Sequence, residues 1–514
     1  MTSIVTSLSP QQIANLTTTS MARLNTTDVQ ALTTTQVAVL TATQVSALTS
    51  ASLQSMQTTQ ISAISTRAVS NLTMAAIQSL TTTQTGALAT SQIGSLSTTS
   101  ITSLSSTQLQ AWTASQFGAV TATQISGITT TAVNNLSTTE LAALTTTQAH
   151  GLTATELNTL GTAKLDALDL TKLTTTQLGG LTTTTLGNLT TTQLGALSTT
   201  QARALTVAQL NGVSAGNLGA IDITKLSTAQ IGGLTSTTAG NLTTTQVGAL
   251  ASTQIGALTT SAVGGLSSTE VQGWSAGQAA GLSSTQIGGL TTTAVGNLST
   301  TELTGLTTTQ AHGLTATQLN TFVTAKLDAL DLTKTTTTQL GALTTTTLGN
   351  LTTTQLGTLS TTQARALTAA QLNGVSAGNL GAIDITKLST AQISGLTSTT
   401  AGNLTTTQVA ALASTQIGAL TASAITGLTT TELSALTASQ AAGLSGAQLA
   451  GLTTTKFAAL TSTTGLPQLT TTAIAGITTS EIAALSATQG NAFTTTQVQA
   501  MNTNQLNALV SLIG

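Results

Sequence analysis

The sequence predicts an all-α repeat solenoid in which each eight-residue unit is one short capped helix. Three observations lead there: a large apolar residue every eight positions, a cap-forming residue three places before a glutamine in most units, and apolar spacings of five and three within each unit. Leu8, Leu16, Leu24, Leu32, Leu40 and Leu48 mark the period, and Trp112 and Trp274 fill the same slot in later copies. The unit reads Leu-Thr-Thr-Thr-Gln, then Ile, Val or Leu, then two small residues.

The period takes precedence over the usual guess of several globular domains for 514 residues, because internal repeats decide architecture before length does. In the stretch from Leu32 to Leu40 the large side chains stand at Leu32, Val37 and Leu40. Odd spacings place successive members on opposite faces of a strand, so one uninterrupted strand cannot bury them together. On a helix, residues three apart share a face.

Thr33 followed by Gln36 is a capping box: the Thr hydroxyl accepts from the third helical N–H, and the Gln side chain accepts from the N–H of the cap. Leu32 and Val37 then take the two positions of a hydrophobic staple. Variants obey the same chemistry. Ser137 to Glu140 keeps a cap and an acid, as does Asn25 to Asp28, and Glu481 lies at another cap-side position. Pro10 falls at the first helical position, where its missing N–H does no harm. The competing fold is a β-solenoid, favoured by the abundance of Thr and by frequent Gly at the last two places, both poor helix formers. In either fold a lone octad orders too many backbone angles for the apolar area it buries, so stacking must hold the chain together.

A longer repeat lies over the octads. Trp112 maps to Trp274, Glu140 to Glu302, His150 to His312, Lys164 to Lys326 and Asp222 to Asp384, each 162 residues on. The long unit consists of nineteen octads and two five-residue steps, Leu168 to Leu173 and Ile221 to Leu226. The chain thus divides into N-terminal repeats at 1–104, a first long repeat at 105–266, its tandem duplicate at 267–428, and C-terminal repeats at 429–514. The last section carries a nine-residue step from Leu460 to Leu469 across Gly465 and Pro467, read as a kink or subdomain edge.

Only 5% of residues are charged and 1% aromatic, with a net charge of −2. Such a chain has no basic face for phosphates, so nucleic acid is not an expected partner. The absence of Cys excludes disulfides and thiolate metal sites. No apolar run approaches a membrane span, and the start at Met1 lacks the pattern of a secretory signal, so an exported chain is expected to leave by a route without one.

No catalytic, cofactor or metal site is expected. His150 and His312 are the only histidines and stand far apart, which leaves no Ser-His-acid set. The densest charge lies at Lys164, Asp166, Asp169 and Lys172 and at their copies Lys326, Asp328, Asp331 and Lys334. Carboxylates there have the right chemistry for Ca²⁺, but the interleaved lysines favour local ion pairs. Arg23, Arg67, Arg203 and Arg365 read as solvated.

The octad, as in Leu242 to Leu250 with Thr243, Gln246 and Val247, resembles the Thr-rich short repeats of bacterial exoproteins, often labelled large exoproteins or haem-utilisation and adhesion proteins. That resemblance implies an extracellular or surface location. Leu8 to Ile13 is also similar to the helix start in the DNA-binding repeat effectors of plant pathogens, without their 34-residue period or basic character. The expected function is a structural, self-assembling filament or surface scaffold stacked head to tail, since the repeats run to an uncharged stretch from Gln505 to Gly514. The other reading is an adhesin stalk or surface-layer module bound to cell-surface components.

Overall fold

Residues 3–514 of the computed structural model are described, and among them every regular element is a helix and none is a strand. The all-α solenoid is therefore the fold, and the β-solenoid is not. Nearly every octad forms one α-helix of four to six residues, beginning directly after its cap residue, and the first described element, Ile4–Ser7, is a 3-10 turn. Thr33 is typical: its backbone is extended at φ −74°, ψ 156°, its side chain accepts from Gln36 N, and Gln36 accepts from Thr33 N. This explains how a Thr-rich sequence can be helical. Thr fills the cap and the first turn, where its hydroxyl supplies an acceptor that the helix interior cannot use.

Pro10 opens its helix behind the Ser9 cap, and Asn25 with Asp28 closes a full box, both as the spacing predicts. The buried face is built from the fourth helical residue and the closing leucine of each octad: Val37 is 0% exposed and Leu40 2%. Trp112 is buried in the leucine slot and donates its indole N–H to Thr85 O at 3.0 Å.

Helices this short are not stable in isolation. Each packs on the third helix before it, as Ala42–Ala47 does on Thr18–Ala22 and Val207–Gly212 on Thr183–Gly187. Three octads, 24 residues, therefore make one coil. The chain falls into two compact units, Met1–Leu250 and Ala251–Gly514, and this three-helix coil recurs within each. The five-residue steps are 3-10 turns, Leu170–Lys172 and Ile223–Lys225 in the first unit and Leu332–Lys334 and Ile385–Lys387 in the second. The nine-residue step holds another 3-10 turn, Leu466–Gln468.

The last ten residues differ from a further octad. After the Asn502 cap the helix Thr503–Ile513 runs for 11 residues and packs on Thr479–Ala483 and Ala487–Gly490. Val510 on it is 64% exposed.

Candidate functional site

The described backbone-to-backbone hydrogen bonds outside the helices all close within five residues. Polar connection from coil to coil therefore falls to side chains, and one side chain per octad supplies most of it. The box glutamine uses both ends of its amide. Gln440 Oε1 accepts from Thr437 N at 2.9 Å, while Nε2 donates to Val409 O and Leu412 O of the preceding coil, each at 2.8 Å.

The same reach, 31 and 28 residues back, recurs at Gln36, Gln84, Gln209, Gln318 and Gln505. Where a five-residue step shortens the coil, the reach becomes 28 and 25, as at Gln177 and Gln408. At the nine-residue step Gln489 reaches 31 and 29 residues back, to Ala458 O and Leu460 O, so one extra residue is taken up within the coil. Ser52, which replaces glutamine, still donates to Leu24 O at 2.9 Å.

The carbonyls that receive these bonds are those at helix C-termini, which lack intrahelical donors and must find partners when buried. The ladder is thus a capping device that serves two coils with one side chain: an acceptor for its own helix start and a donor for the helix end below.

The lysines complete it. Lys164 and Lys326 stand in the glutamine place and donate to Asn134 O and Leu298 O, and Lys456 donates to Thr426 O. In the five-residue steps Lys172, Lys225, Lys334 and Lys387 donate to Leu144, Leu197, Leu306 and Leu359 carbonyls at 2.7–2.8 Å. All seven lysines of the sequence are therefore bound to the preceding coil. In the same steps Asp169, Asp222, Asp331 and Asp384 take over the cap: Asp169 Oδ1 accepts from Thr171 N at 3.0 Å and from its hydroxyl at 2.6 Å. Each step is a condensed octad, with Asp for the cap and Lys for the donor.

The expected local ion pairs are present, with Lys172 Nζ 3.7 Å from Asp169 and the other three pairs at 3.7–3.9 Å. The hydrogen bond from the Thr171 hydroxyl chiefly holds the Asp169 carboxyl below the ordinary aspartate range. The Thr171 amide and the Lys172 charge add to it against a desolvation effect that raises it. A lowered carboxylate pKa stabilises the fold above the ordinary aspartate range, and that contribution is lost as pH falls through the folded-state value.

Substitution Lys172→Met removes the donor while keeping the stem, and an urea titration is expected to show a loss of about 1–2 kcal/mol with an unchanged slope. An equal loss in Lys172→Arg would place the effect in packing instead.

Asp166 is exposed, and Asp169 is engaged as a cap. Among the described residues no group of three or more His, Asp or Glu gathers as a metal cluster. His150 and His312 sit exposed just past the helices Thr146–Ala149 and Thr308–Ala311. Arg203 and Arg365, read as solvated, donate forward to Lys225 O and Lys387 O of the next coil. Asn158 and Asn211 were not singled out by sequence, yet each clasps the following coil. Asn158 Nδ2 donates to Gly180 O at 3.0 Å and its Oδ1 accepts from Thr182 N at 2.9 Å. Asn211 does the same with Gly233 and Thr235. Among the described residues no helix is long and apolar enough to cross a membrane.

No family model matches this sequence, and no curated protein matches it. One solved-structure match is titled a homology model of the full-length AP-3 complex in an intermediate open conformation. It is 11% identical, covers 80% of this chain and 76% of that one, and has a TM-score of 0.15, which carries no argument.

Proposed function

We propose that this chain is a structural protein that self-associates through the faces of its coils, as a filament or scaffold element at the cell surface or outside the cell. The observation behind this reading is the two-sidedness of the ladder. Most coils present amide or ammonium donors on one face and helix-end carbonyls on the other, so the donor face of one such coil fits the acceptor face of another.

Gln12 lies in the first described coil. Its Oε1 accepts from Ser9 N at 2.8 Å, whereas its Nε2 makes none of the coil-to-coil bonds described for the later glutamines. A donor face of one copy seated on an acceptor face of another continues the ladder, and contact between unlike faces yields an open filament unless the rotation closes. The surface or extracellular setting rests on the likeness of the octad to bacterial exoprotein repeats.

Light scattering and negative-stain microscopy of the full chain are expected to show concentration-dependent filaments that persist in high salt, because few charges take part. Gln12→Glu, which sets a carboxylate against carbonyl oxygens, is expected to shorten or abolish them. A monodisperse monomer at micromolar concentration overturns the proposal.

A further inference from the structure

Six octads carry glutamate where the ladder has glutamine: Glu140, Glu156, Glu270, Glu302, Glu432 and Glu481. A carboxylate can perform only half of the glutamine's task. Glu156 Oε2 accepts from Thr153 N at 2.6 Å and Thr153 Oγ1 at 2.8 Å, and Glu481 Oε2 accepts from Thr478 N at 2.6 Å and Thr478 Oγ1 at 2.8 Å. Neither carboxylate has a hydrogen to give to the coil below. Glu156 and Glu481 are each 2% exposed, and Oε1 of Glu481, like that of Glu302, is buried without a hydrogen-bond partner.

The tandem duplication supplies the internal comparison. Glu156 is replaced 162 residues later by Gln318, whose Nε2 donates to Ile287 O at 3.0 Å and Leu290 O at 2.8 Å. The matching carbonyls below Glu156 are those of Ile125 and Ile128. A protonated carboxyl has the shape and the donor of the glutamine amide.

We infer that Glu156 and Glu481 are proton-operated rungs of the ladder: on taking up a proton from solvent, the carboxyl O–H donates to the helix-end carbonyl of the preceding coil, and the coils bind more tightly in acid than at neutral pH.

The surroundings favour the protonated form. The helices packed on that of Glu156, Thr130–Asn135 and Thr175–Gly179, carry no titratable side chain, nor does Ala122–Ile125 before the junction it faces. On the flanking helices are His150, which is exposed, Lys164, which is bound to Asn134 O, and Asp166, which is exposed. Of the helices packed on that of Glu481, Thr454–Phe457 carries Lys456, already donating to Thr426 O, and Thr503–Ile513 carries no charge. Burial raises both carboxyls above the ordinary glutamate value, against the opposing hydrogen bonds from Thr153 and Thr478.

The sign follows. The folded state holds a proton that the unfolded chain releases, so this contribution is fully present below the ordinary glutamate value and is lost as pH rises through the raised folded value. The Asp caps of the five-residue steps act in the opposite sense and at lower pH.

Thermal unfolding of the full chain, followed by circular dichroism, tests this. Glu156→Gln and Glu481→Gln are each expected to raise Tm by about 2–4 °C at pH 8 and by much less at pH 4.5. The infrared band of a buried protonated carboxyl is expected to weaken in each. Gln318→Glu, the converse change, is expected to lower Tm at pH 8 and to recover at pH 4.5. A Gln variant that lowers Tm at pH 8, or a difference from the parent that is the same at both pH values, overturns the inference. So does a pH-independent Gln318→Glu. None of these outcomes depends on whether copies of the chain associate.

Discussion

Gln440→Leu is expected to destabilise the second unit by about 3–5 kcal/mol, far more than a polar-to-apolar change of similar size on a helix surface. The reason is the double use of the amide. Removing it strips Thr437 N of its acceptor and Leu412 O of its side-chain donor at once. Val409 O keeps the local bond from Leu412 N at 3.2 Å, so the loss there is partial. Buried groups left unpaired cost about 1–3 kcal/mol each, and two are created. Urea unfolding of the variant against the parent measures this. Gln440→Glu provides a graded control, since it retains the acceptor for Thr437 and loses only the donor. Thr437→Ala removes the reciprocal half of the box, Gln440 N to Thr437 Oγ1 at 3.3 Å, and is expected to cost about 1 kcal/mol. If Gln440→Leu costs no more than Thr437→Ala, the inter-coil half of the amide contributes nothing.

The local half of this arrangement was legible in the sequence and the inter-coil half was not. A box is written in residues three apart, so Thr33 with Gln36 announces it. The partner of Gln36 Nε2 lies 28 and 31 residues away, at Leu8 O and Val5 O, and depends on there being three octads in a coil. Nothing within a single octad states that number. The signal that could have exposed the second task is the set of substitutes: Lys164, Lys326 and Lys456 at the glutamine place cannot accept from a cap, so they are useful there only as donors. The same blindness applied to the five-residue steps. The Asp169 and Lys172 pairing was readable from spacing, whereas the bond from Lys172 to Leu144 O needed the coil. Glycine misled in the other direction. Counted by helix propensity it argued for strands, yet no glycine among the described residues has a positive φ.

What glycine provides is proximity, and a pair of substitutions separates that from flexibility. Gly427→Leu is expected to destabilise the second unit by about 4 kcal/mol or more. A Cβ at Gly427 would fall on the carbonyl oxygen of Ser398, and it would stand 2.9 Å from Gly402 N. These are backbone atoms of the coil below, so no rotamer change can relieve the overlap. The coils would have to part, and Gln416 and Gln448 on either side of this level hold them at bonding distance through Leu388 O at 2.9 Å and Ile417 O at 2.8 Å. Gly349 ends the helix Thr345–Gly349, and no atom lies within 4 Å of where its Cβ would be. There Gly349→Ala is expected to stabilise by about 0.5–1 kcal/mol through the ordinary helix preference and a less flexible unfolded chain. Parallel urea titrations decide the matter. Opposite signs at the two sites assign the recurrent glycines to close coil contact, while destabilisation of similar size at both would assign them to backbone freedom within the helices.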